Sequence, residues 1–336
     1  MQELGPAPVS VDKGLAHTHN APIPKIQIRQ FIMSERIALV ERQAGQIILG
    51  KSREIRLALT CLLAQGHLLI EDVPGVGKTT LAQTLARLLG LDYRRIQFTS
   101  DLLPADIVGV SIFDKDSGSF HFQRGPIFSQ LLLADEINRA SPKTQSALLE
   151  AMEEGQVTSD GETRTLPRPF FVIATQNPLD QIGTFALPES QLDRFLMRIS
   201  LGYPSQQAET ELLMGISRRD MLRELEPALA PDELLALQAE VAKVTTTSAL
   251  VSYILALVQR TRSHAQIRLG LSPRSGLALK RAAQAWARLD GRRAVVPEDV
   301  QAVFPSVASH RLQLNGADPA AVTVLIQELL ADIAIP

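Results

Sequence analysis

One stretch of the chain decides its fold: residues 68–82 read LLIEDVPGVGKTTLA, an apolar strand followed by a glycine-bearing turn and the start of a helix. Lys78 falls in the first turn of that helix, where a cation opposes the helix macrodipole unless an anion lies nearby. Turns of this composition bind phosphate through backbone N–H groups, a lysine and a hydroxyl. The stretch therefore predicts a nucleotide phosphate-binding loop, with an ordinary strand-to-helix turn as the alternative.

The loop predicts ATP and Mg²⁺ as its ligands. Lys78 would reach the β- and γ-phosphate oxygens, and the Thr79 hydroxyl would bind Mg²⁺. Asp72 stands where the pattern G-x-x-x-x-G-K-[ST] has its first glycine, so the turn depends on Gly75 and Gly77. The predicted nucleotide-binding residues are Asp72, Val73, Pro74, Gly75, Val76, Gly77, Lys78, Thr79 and Thr80.

Composition limits the class of protein. The chain has 336 residues, of which 45% are hydrophobic, enough to bury a large core and to divide into two domains. A formal net charge of −2 and an aromatic content of 4% give no overall attraction to nucleic acid and no base-stacking platform. No apolar run reaches the ~20 residues that span a bilayer, and no secretory leader pattern is present, so we expect a cytoplasmic protein. The single cysteine, Cys61, excludes an internal disulfide.

The residue pattern changes twice along the chain. Residues 1–27 hold four prolines among small and polar residues and predict a disordered lead. Residues 28–203 alternate short apolar strands with helical segments, which predicts an α/β domain with a parallel sheet flanked by helices. Residues 204–336 show helical periodicity, so we expect strands to stop after Tyr203 and a separate helical domain to follow. Three arginine pairs are expected to face solvent: Arg94-Arg95, Arg218-Arg219 and Arg292-Arg293.

Polar side chains follow two of the predicted strands. Asp135 and Glu136 come directly after the apolar run 131–134, and Asn177 follows the run that ends at residue 175. Ligands of open α/β sheets bind at the carboxyl ends of the strands. We therefore expect these side chains to meet Lys78 at one edge of the sheet.

These residue types suit hydrolysis of ATP. Asp135 would hold Mg²⁺ in its second shell or through a water, and Glu136 would take a proton from the attacking water. Asn177 would hydrogen-bond the γ-phosphate or that water. A small-molecule kinase has no need to activate water, so the set favours an ATPase. The alternatives are an acidic pair that only ends a strand and a turn-forming Asn before Pro178.

Two arginines complete the predicted site. Ser272 and Pro273 predict a helix start that again places a cation, Arg274, at the positive end of a helix. A nearby anion would remove that penalty, so we interpret Arg274 as a lid residue that touches the γ-phosphate. Arg194 would reach the nucleotide of a neighbouring subunit, with Arg198 as the fallback. Surface ion pairs or solvent-facing side chains are the alternatives.

Two β-hairpins interrupt the predicted sheet. The first pairs residues 109–113 with 119–122, and the second pairs 156–159 with 162–165 around Asp160-Gly161, a strong two-residue turn signal. Neither hairpin is needed to build the sheet. Surface decoration is the simplest interpretation of both.

Five segments together resemble the MoxR family of AAA+ ATPases, and the resemblance extends over nearly all of residues 30–330. Their order and spacing are far more specific than a phosphate loop alone, and Asp in place of the first glycine is common in that family. The segments are 72–79 (DVPGVGKT), 133–140 (LADEINRA), 174–178 (ATQNP), 187–195 (LPESQLDRF) and 296–300 (VPEDV).

The resemblance implies a fold and a role for each candidate residue. The fold would be a P-loop NTPase of AAA+ type, with an α/β nucleotide domain and an all-α lid. The two hairpins would be the helix 2 insert and the pre-sensor 1 insert, which approach the central pore of related rings. The implied site residues are the Walker A lysine Lys78, the Walker B pair Asp135 and Glu136, the sensor 1 residue Asn177, the arginine finger Arg194 and the sensor 2 arginine Arg274.

The resemblance also implies biology that composition and spacing do not show. The family is thought to form hexameric rings that act as chaperone-like ATPases, maturing client proteins or inserting their cofactors, often with a von Willebrand A-type partner. We therefore expect a Mg²⁺-dependent ATPase that remodels a protein client as a homo-hexamer. A DNA translocase or helicase is one alternative. A non-hydrolysing nucleotide-dependent scaffold is another, which the presence of both Glu136 and Asn177 disfavours.

Overall fold

The computed structural model describes residues 25–178, 183–215, 217–316 and 321–335, and of residues 25–34 only the backbone. The disordered lead expected at 1–27 lies outside the described residues, apart from 25–27, which begin the first helix. The helices are α1 (Lys25–Ile47), α2 (Ser52–Leu63), α3 (Lys78–Leu88), α4 (Pro104–Val108), α5 (Pro142–Glu154), α6 (Glu189–Leu192), α7 (Gln206–Met214), α8 (Arg218–Glu224), α9 (Pro231–Val241), α10 (Ser248–Ser263), α11 (Pro273–Leu289), α12 (Pro297–Ala308) and α13 (Ala321–Asp332). The strands are β1 (Leu68–Glu71), β2 (Tyr93–Gln97), β3 (Gly109–Asp114), β4 (Ser119–Arg124), β5 (Leu131–Asp135), β6 (Gln156–Ser159), β7 (Glu162–Thr165), β8 (Phe171–Gln176), β9 (Met197–Ile199), β10 (Ile267–Leu269) and β11 (Gln313–Leu314).

Five parallel strands form the central sheet, in the order β2-β5-β8-β1-β9. The central strands β5, β8 and β1 are apolar and almost fully buried, which confirms the predicted parallel sheet flanked by helices. The edge strands were not predicted: β2 buries only Ile96, and β9 has three residues. An edge strand pairs on one side only, so its sequence carries a weaker apolar signal.

Alternate side chains of each central strand enter two separate cores. In β1, Leu68 and Ile70 contribute to the core that contains α1, α2 and α3, whereas Leu69 contributes to the core that contains α5. This alternation is expected of a strand that is covered on both faces. The first core continues into the C-terminal helices, because α2 packs against α9 and α11. The sheet and the C-terminal helices therefore share buried apolar surface through α2.

The C-terminal region is helical, as predicted, with two differences. The helical periodicity of residues 204–336 includes a run over about 206–218 that predicts a single helix, but α7 ends at Met214 and α8 is a separate helix. The strands β10 and β11 pair antiparallel, so the expectation that strands stop after Tyr203 is wrong. Strands of three and two residues are too short to show a periodicity. Within the described residues, no helix is both long and apolar enough to cross a membrane.

Both predicted hairpins are present, as β3 with β4 and β6 with β7. Asp160 and Gly161 have φ values of 54° and 78°, the conformation that a two-residue hairpin turn requires. The hairpins contact each other, because the Ser111 hydroxyl donates to the Asp160 carboxylate over 2.5 Å. The Arg164 guanidinium also lies 3.9 Å from the centroid of the Phe122 ring. The two hairpins therefore form one unit, named here the paired hairpins.

One arginine of each expected solvent-facing pair is instead bonded to the protein. Arg95 pairs with Asp135, and Arg292 pairs with the buried carboxylate of Asp299. Arg218 donates a 3.0 Å hydrogen bond to a backbone carbonyl near the end of α1. Arg94, Arg95, Arg219 and Arg293 are nevertheless exposed, as expected, whereas Arg218 and Arg292 are half-buried. The partners of Arg95 and Arg218 are brought close by the tertiary fold, which charge patterning along the sequence does not show.

Candidate nucleotide-binding site

The predicted phosphate loop connects β1 to α3. Gly75 and Gly77 have φ values of 84° and 98°, which residues with a side chain rarely adopt, and no atom lies within 4 Å of a Cβ built on either. Backbone conformation, rather than lack of space, therefore requires these two glycines. Asp72 has no positive φ, so its position does not need the glycine of the general pattern.

Lys78 begins α3, and its ammonium donates a 2.6 Å hydrogen bond to the backbone carbonyl of Asp72. The positive charge is therefore held over the loop, at a helix N-terminus whose N–H groups and dipole favour anions. Thr79 and Thr80 follow in the first turn and are half-buried. A cavity of about 220 Å³ borders the loop, lined by Ile47, Ile48, Leu49, Lys51, Gly75, Val76, Gly77, Thr80, Pro204, Leu212 and Arg218.

The strand order brings the other predicted residues to the same edge as the loop. Asp135 and Glu136 stand at the carboxyl end of β5, and Asn177 stands at that of β8. Lys78 follows the carboxyl end of β1, and β8 lies between β5 and β1 in the sheet. Asp135 and Asn177 are only 8% and 6% exposed although both are polar. Burial of polar groups is costly unless they are bonded, so this edge is a formed polar site.

The neighbouring strands hold the Asp135 carboxylate from two sides. Its Oδ2 accepts hydrogen bonds from Arg95 on β2, at 2.7 and 3.1 Å. Its Oδ1 accepts a 2.5 Å hydrogen bond from the hydroxyl of Thr175 on β8. Sequence analysis missed both partners, because each comes near Asp135 only through the pairing of β5 with β2 and β8.

Glu136 has an unusual backbone conformation, with φ 57° and ψ 49°. This left-handed region costs a residue with a side chain about 1–2 kcal/mol. The Glu136 N–H donates to the Thr175 hydroxyl at 2.9 Å, which stabilises the conformation. The Glu136 carboxylate accepts a 2.8 Å hydrogen bond from Gln97 and pairs with Arg139 at 2.9 Å. Strain of this kind, held in place by surrounding hydrogen bonds, is typical of functional positions.

Arg194 and Arg274 lie together, but at the opposite edge of the sheet. Arg274 donates to one oxygen of Glu153 at 2.9 Å, and Arg194 lies 3.2 Å from the other. Both arginines line a cavity of about 400 Å³ with residues 66–67, which precede β1. Lys78 follows the other end of β1, a strand of four residues. Strand length alone therefore separates the two sites by about 13 Å.

This placement bears on the expectation that Arg274 touches a γ-phosphate. Ser272 caps α11 as predicted, accepting a 3.1 Å hydrogen bond from the Ser275 N–H. A contact of Arg274 with a γ-phosphate on its own phosphate loop does not fit, because that loop lies at the other edge of the sheet. Two carboxylates lie near Arg274 in this structure. Glu153 is in the last turn of α5, where the helix dipole also favours a cation, and Asp193 lies 4.0 Å from the guanidinium.

A buried arginine that sequence analysis missed fixes the position of Arg194. The Arg311 side chain is 5% exposed and donates to Asp193 Oδ1 at 2.6 Å and to the carbonyls of Phe195 and Leu196. Burial lowers the pKa of Arg311, and Asp193 opposes that shift. Arg311 follows α12, so the helical region holds the loop that carries Arg194. No local pattern marks Arg311, since Asp193 is 118 residues away in the sequence.

Arg198, the alternative to Arg194, is bonded elsewhere. It lies on β9 and donates to Glu71 Oε2 at 2.5 Å. Glu71 Oε1 also accepts a 2.9 Å hydrogen bond from Gln176, at the end of β8. Arg198 therefore forms its ion pair with Glu71 at the carboxyl end of β1, whereas Arg194 lies beside Arg274. This geometry favours Arg194 over Arg198 as the arginine that acts with Arg274.

The residues at the loop edge fit a magnesium nucleotide. The Asp135 carboxylate and the Thr79 hydroxyl are the hard oxygen ligands that Mg²⁺ prefers. Arg95 already places a positive charge on Asp135, so the site accommodates a cation there. In the part of the chain that the structure describes, no group of three His, Cys, Asp or Glu side chains forms a metal site of its own. Mg²⁺ commonly binds one or two carboxylates together with substrate phosphates, which is what this edge offers.

Two family models match the chain. The ATPase family associated with various cellular activities (AAA) matches residues 67–197, which contain β1, the phosphate loop, β5, β8 and Arg194. The AAA lid domain matches residues 259–333, which contain Arg274 and Arg311. Both matches agree with the parallel sheet and the helical region described above.

Relatives and a solved structure are similar over most of the chain. Chaperone MoxR1 of Mycobacterium tuberculosis is 41% identical over 308 compared positions, and the similarity covers 88% of this chain and 81% of that protein. Protein MoxR of Paracoccus denitrificans is 35% identical, over 88% of this chain and 95% of that protein. A solved structure of a protein from Cytophaga hutchinsonii has a TM-score of 0.85 at 36% identity, covering 93% of this chain and 98% of that one. The chain therefore belongs to the MoxR family of AAA+ ATPases.

Proposed function

We propose that this chain binds ATP with Mg²⁺ and hydrolyses it at the edge formed by β1, β5 and β8. The observation that carries the proposal is the meeting of Lys78, the pair Asp135 and Glu136, and Asn177 at the ends of these three neighbouring strands. A phosphate loop alone would also serve a kinase or a scaffold. Hydrolysis needs two further groups at the same edge, here the carboxylate of Glu136 and the amide of Asn177, because a water must be oriented and deprotonated.

The loop side of the site would bind the nucleotide. The Lys78 ammonium would exchange its hydrogen bond to the Asp72 carbonyl for phosphate oxygens, with backbone N–H groups of the loop around them. The Thr79 hydroxyl and the Asp135 carboxylate would hold Mg²⁺, which neutralises charge on the phosphate oxygens when it is bound. To admit it, Arg95 would shift from Asp135 Oδ2, and the Thr175 hydroxyl would keep Oδ1 in place.

The ends of β5 and β8, at the same edge as the loop, would carry out the hydrolytic step. Glu136 would accept a proton from the attacking water, and Asn177 would hydrogen-bond that water or the γ-phosphate. Gln97 and Arg139 hold the Glu136 carboxylate in this structure. The Glu136 carboxylate would therefore have to exchange one of these partners for the water during the reaction.

Replacement of Glu136 by Gln tests the proposal. We expect ATP turnover to fall by at least about 100-fold, since general-base catalysis contributes that much, while ATP affinity measured by calorimetry stays unchanged. Glu154→Gln, an exposed position at the end of α5, is the matched control and should alter neither quantity. Full hydrolysis by Glu136→Gln would refute the role of the base. Absence of ATP binding by the unaltered protein would refute the proposal as a whole.

We further propose that the protein works as a homo-hexameric ring with ATP sites between subunits. Arg194 and Arg274 lie at the sheet edge opposite their own phosphate loop, so they could meet a γ-phosphate only on a neighbouring copy. In a ring, one subunit's loop edge faces the next subunit's arginine edge. A positive charge delivered in this way stabilises the transition state of phosphoryl transfer.

The paired hairpins supply a candidate surface for a protein client. Phe113 and Phe120 stack edge to face, with ring centroids 5.2 Å apart, and are 50% and 72% exposed. Val110 and Ile112 on the same hairpin are also exposed. The aromatic pair lies on one face of the hairpin and Val110 and Ile112 on the other, and exposed apolar side chains of this kind suit contact with apolar segments of another protein. We therefore propose that ATP turnover remodels or matures protein clients, as the name of the chaperone MoxR1 suggests for that relative.

The finer partners belong to the same proposal. A von Willebrand A-type protein would accompany the ring, as the family resemblance implies. The cytoplasm is the compartment we propose, because the single cysteine leaves the chain without an internal disulfide and ATP supplies its energy.

A further inference from the structure

We infer that Asp72 is a positioning residue that couples the phosphate loop to residues 200–205, named here the linker, which join β9 to α7. Through Asp72, a nucleotide on the loop would control the order of the linker and hence the start of the helical region. This inference rests on the nucleotide binding proposed above. It concerns a residue that stands where the general phosphate-loop pattern has a glycine, at a position whose backbone does not need one.

The Asp72 carboxylate makes most of its bonds to the linker. Its Oδ1 accepts a 2.8 Å hydrogen bond from the adjacent Val73 N–H. Its Oδ2 accepts hydrogen bonds from the Ser200 hydroxyl at 2.9 Å and from the Gly202 N–H at 2.5 Å. Asp72 is only 7% exposed, and a carboxylate so buried needs bonds of this kind to offset its loss of water. The linker thus supplies two of the three bonds that hold it.

The backbone of Asp72 reaches two further parts of the site. Its carbonyl accepts the hydrogen bond of the Lys78 ammonium at 2.6 Å. Its N–H donates to the Gln176 carbonyl at 3.1 Å, directly before Asn177. A bound phosphate would compete for the Lys78 ammonium, so it would weaken the hydrogen bond to the Asp72 carbonyl. The backbone that senses the phosphate therefore belongs to the residue whose side chain holds the linker.

The linker also borders the space that a nucleotide would enter. Pro204 of the linker and Leu212 of α7 line the same 220 Å³ cavity as Gly75 and Gly77. The Lys51 ammonium donates a 2.9 Å hydrogen bond to the backbone carbonyl of Tyr203 in the linker. A nucleotide in this cavity would therefore touch the loop and the linker together, and Asp72 is the direct bond between them.

A purely local role for Asp72 makes a different prediction. The bond from the adjacent Val73 N–H lies entirely within the loop and needs nothing from the linker. Asp72→Gly separates the two roles, because it restores the general glycine pattern of the loop and removes the carboxylate. Ser200→Ala removes one linker bond and leaves Asp72 and the loop intact, so it tests the coupling in a variant that keeps the loop sequence.

Hydrogen exchange of the full-length protein, with and without ATP and Mg²⁺, tests the inference. In the unaltered protein we expect nucleotide to protect both the loop and the linker amides. Without nucleotide, Asp72→Gly should speed exchange of the Gly202 amide by at least about tenfold, since it loses a bond to a charged acceptor. With nucleotide, Asp72→Gly should keep the protection of the loop and lose that of the linker. Ser200→Ala should show the same split to a smaller degree.

The outcomes separate this inference from the proposed function. Unchanged Gly202 exchange in Asp72→Gly, or linker protection by nucleotide equal to that of the unaltered protein, would overturn the coupling. If Asp72→Gly does not fold, Ser200→Ala decides the question by the same comparison. An unaltered protein whose loop gains no protection from nucleotide would refute nucleotide binding itself, and the coupling with it. Hydrogen exchange of the unaltered protein with and without nucleotide is therefore measured before that of any variant.

Discussion

At the scale of single residues, one hydroxyl sets the geometry of both acids of the proposed site. Thr175 is fully buried, donates to Asp135 Oδ1 at 2.5 Å and accepts from the Glu136 N–H at 2.9 Å. The first bond orients the carboxylate proposed to hold Mg²⁺. The second holds Glu136 in its left-handed conformation, which aims the proposed base. Thr175 therefore positions two functional residues while touching no substrate itself.

Replacement of Thr175 by Val tests this role with a side chain of the same shape. Loss of the hydroxyl leaves a buried N–H and a carboxylate oxygen without that partner, which costs about 1–3 kcal/mol of stability. We expect kcat for ATP to fall by at least about tenfold, with ATP affinity changed much less. Thr175→Ser keeps the hydroxyl and should restore kcat. Equal loss of kcat in both variants would show that the methyl group, rather than the hydroxyl, matters.

A buried histidine predicts a pH dependence of stability. Burial lowers the pKa of His67 to about 4, and its ring bonds the Met152 carbonyl and the Val172 N–H as a neutral group. Between about pH 6.5 and pH 4 the unfolded chain binds the proton and the folded protein does not. The contribution of neutral His67 to the free energy of unfolding is therefore fully present above about pH 6.5. Up to about 3 kcal/mol of that free energy is lost as the pH falls through about 4.

Urea unfolding of the His67→Gln variant at pH 7 and pH 4.5 measures this contribution. We expect the loss of unfolding free energy between the two pH values to be smaller in the variant, because Gln cannot take up a proton. His310 is buried, its pKa is also lowered, and it remains in the variant, so part of the pH dependence should persist. An identical loss in the variant and the unaltered protein would contradict the assignment.

At the scale of elements, the paired hairpins are the part of the α/β region that the central sheet does not explain. They join no strand of that sheet, and they bond to each other through Ser111 with Asp160 and through Arg164 with Phe122. Phe113, Phe120, Val110 and Ile112 remain exposed, while a polar pair and the contact of Arg164 with the half-buried Phe122 join the two hairpins. A hairpin unit of this kind is held in shape without burying the surface that we propose for clients.

Client capture by the non-hydrolysing variant tests that surface. Glu136→Gln with ATP should retain client proteins. Adding Phe120→Ser should lower the retained amount at least about tenfold, because burial of an exposed Phe side chain on binding contributes about 1.5–3 kcal/mol of binding free energy. Leu213→Ser is the matched control, since Leu213 is 87% exposed on α7, outside the hairpins. Mass spectrometry of the copurified proteins gives the amounts. Equal retention with and without Phe120 would contradict a role of the hairpin tip.

At the scale of the whole molecule, the two halves of the proposed ATP site lie at opposite edges of one sheet. The loop edge carries Lys78, and the other edge carries Arg194 and Arg274, which both form ion pairs with Glu153. Arg311 ties the helical region to the arginine edge, as Asp72 ties the linker to the loop edge. A single copy thus offers two incomplete half-sites, and a ring would join them.

Subunit mixing tests this arrangement. Arg194→Ala alone should lower hydrolysis by about 10³-fold or more, as expected for an arginine that stabilises the transition state. Mixing it with inactive Lys78→Ala should restore part of the activity, because one interface then combines an intact loop with an intact arginine. A Lys78→Ala/Arg194→Ala double variant is the control partner and should restore nothing. Failure of the first mixture to gain activity over the control would contradict action between subunits.

Local sequence was sufficient for much of the fold and for half of the site. The phosphate loop, the three buried central strands and the turn at Asp160-Gly161 each depend on contiguous residues, whose backbone preferences and apolar pattern are visible in the sequence. The edge strands β2 and β9 and the short pair β10 and β11 were missed, because exposed or very short strands carry little pattern. Asp135, Glu136 and Asn177 were found because they end strands with a strong apolar signal.

The sequence by itself determined which chemical groups the protein carries and which of them end strands of a parallel sheet. Only the tertiary structure decided their partners and positions. Arg95 and Thr175 donate hydrogen bonds to Asp135, and the linker donates to Asp72. Arg274 lies at the sheet edge opposite to Lys78. The physical reason is that these contacts join residues 40 to more than 100 positions apart. Strand order and the packing of the helical region set such distances, and neither has a local signature in the chain.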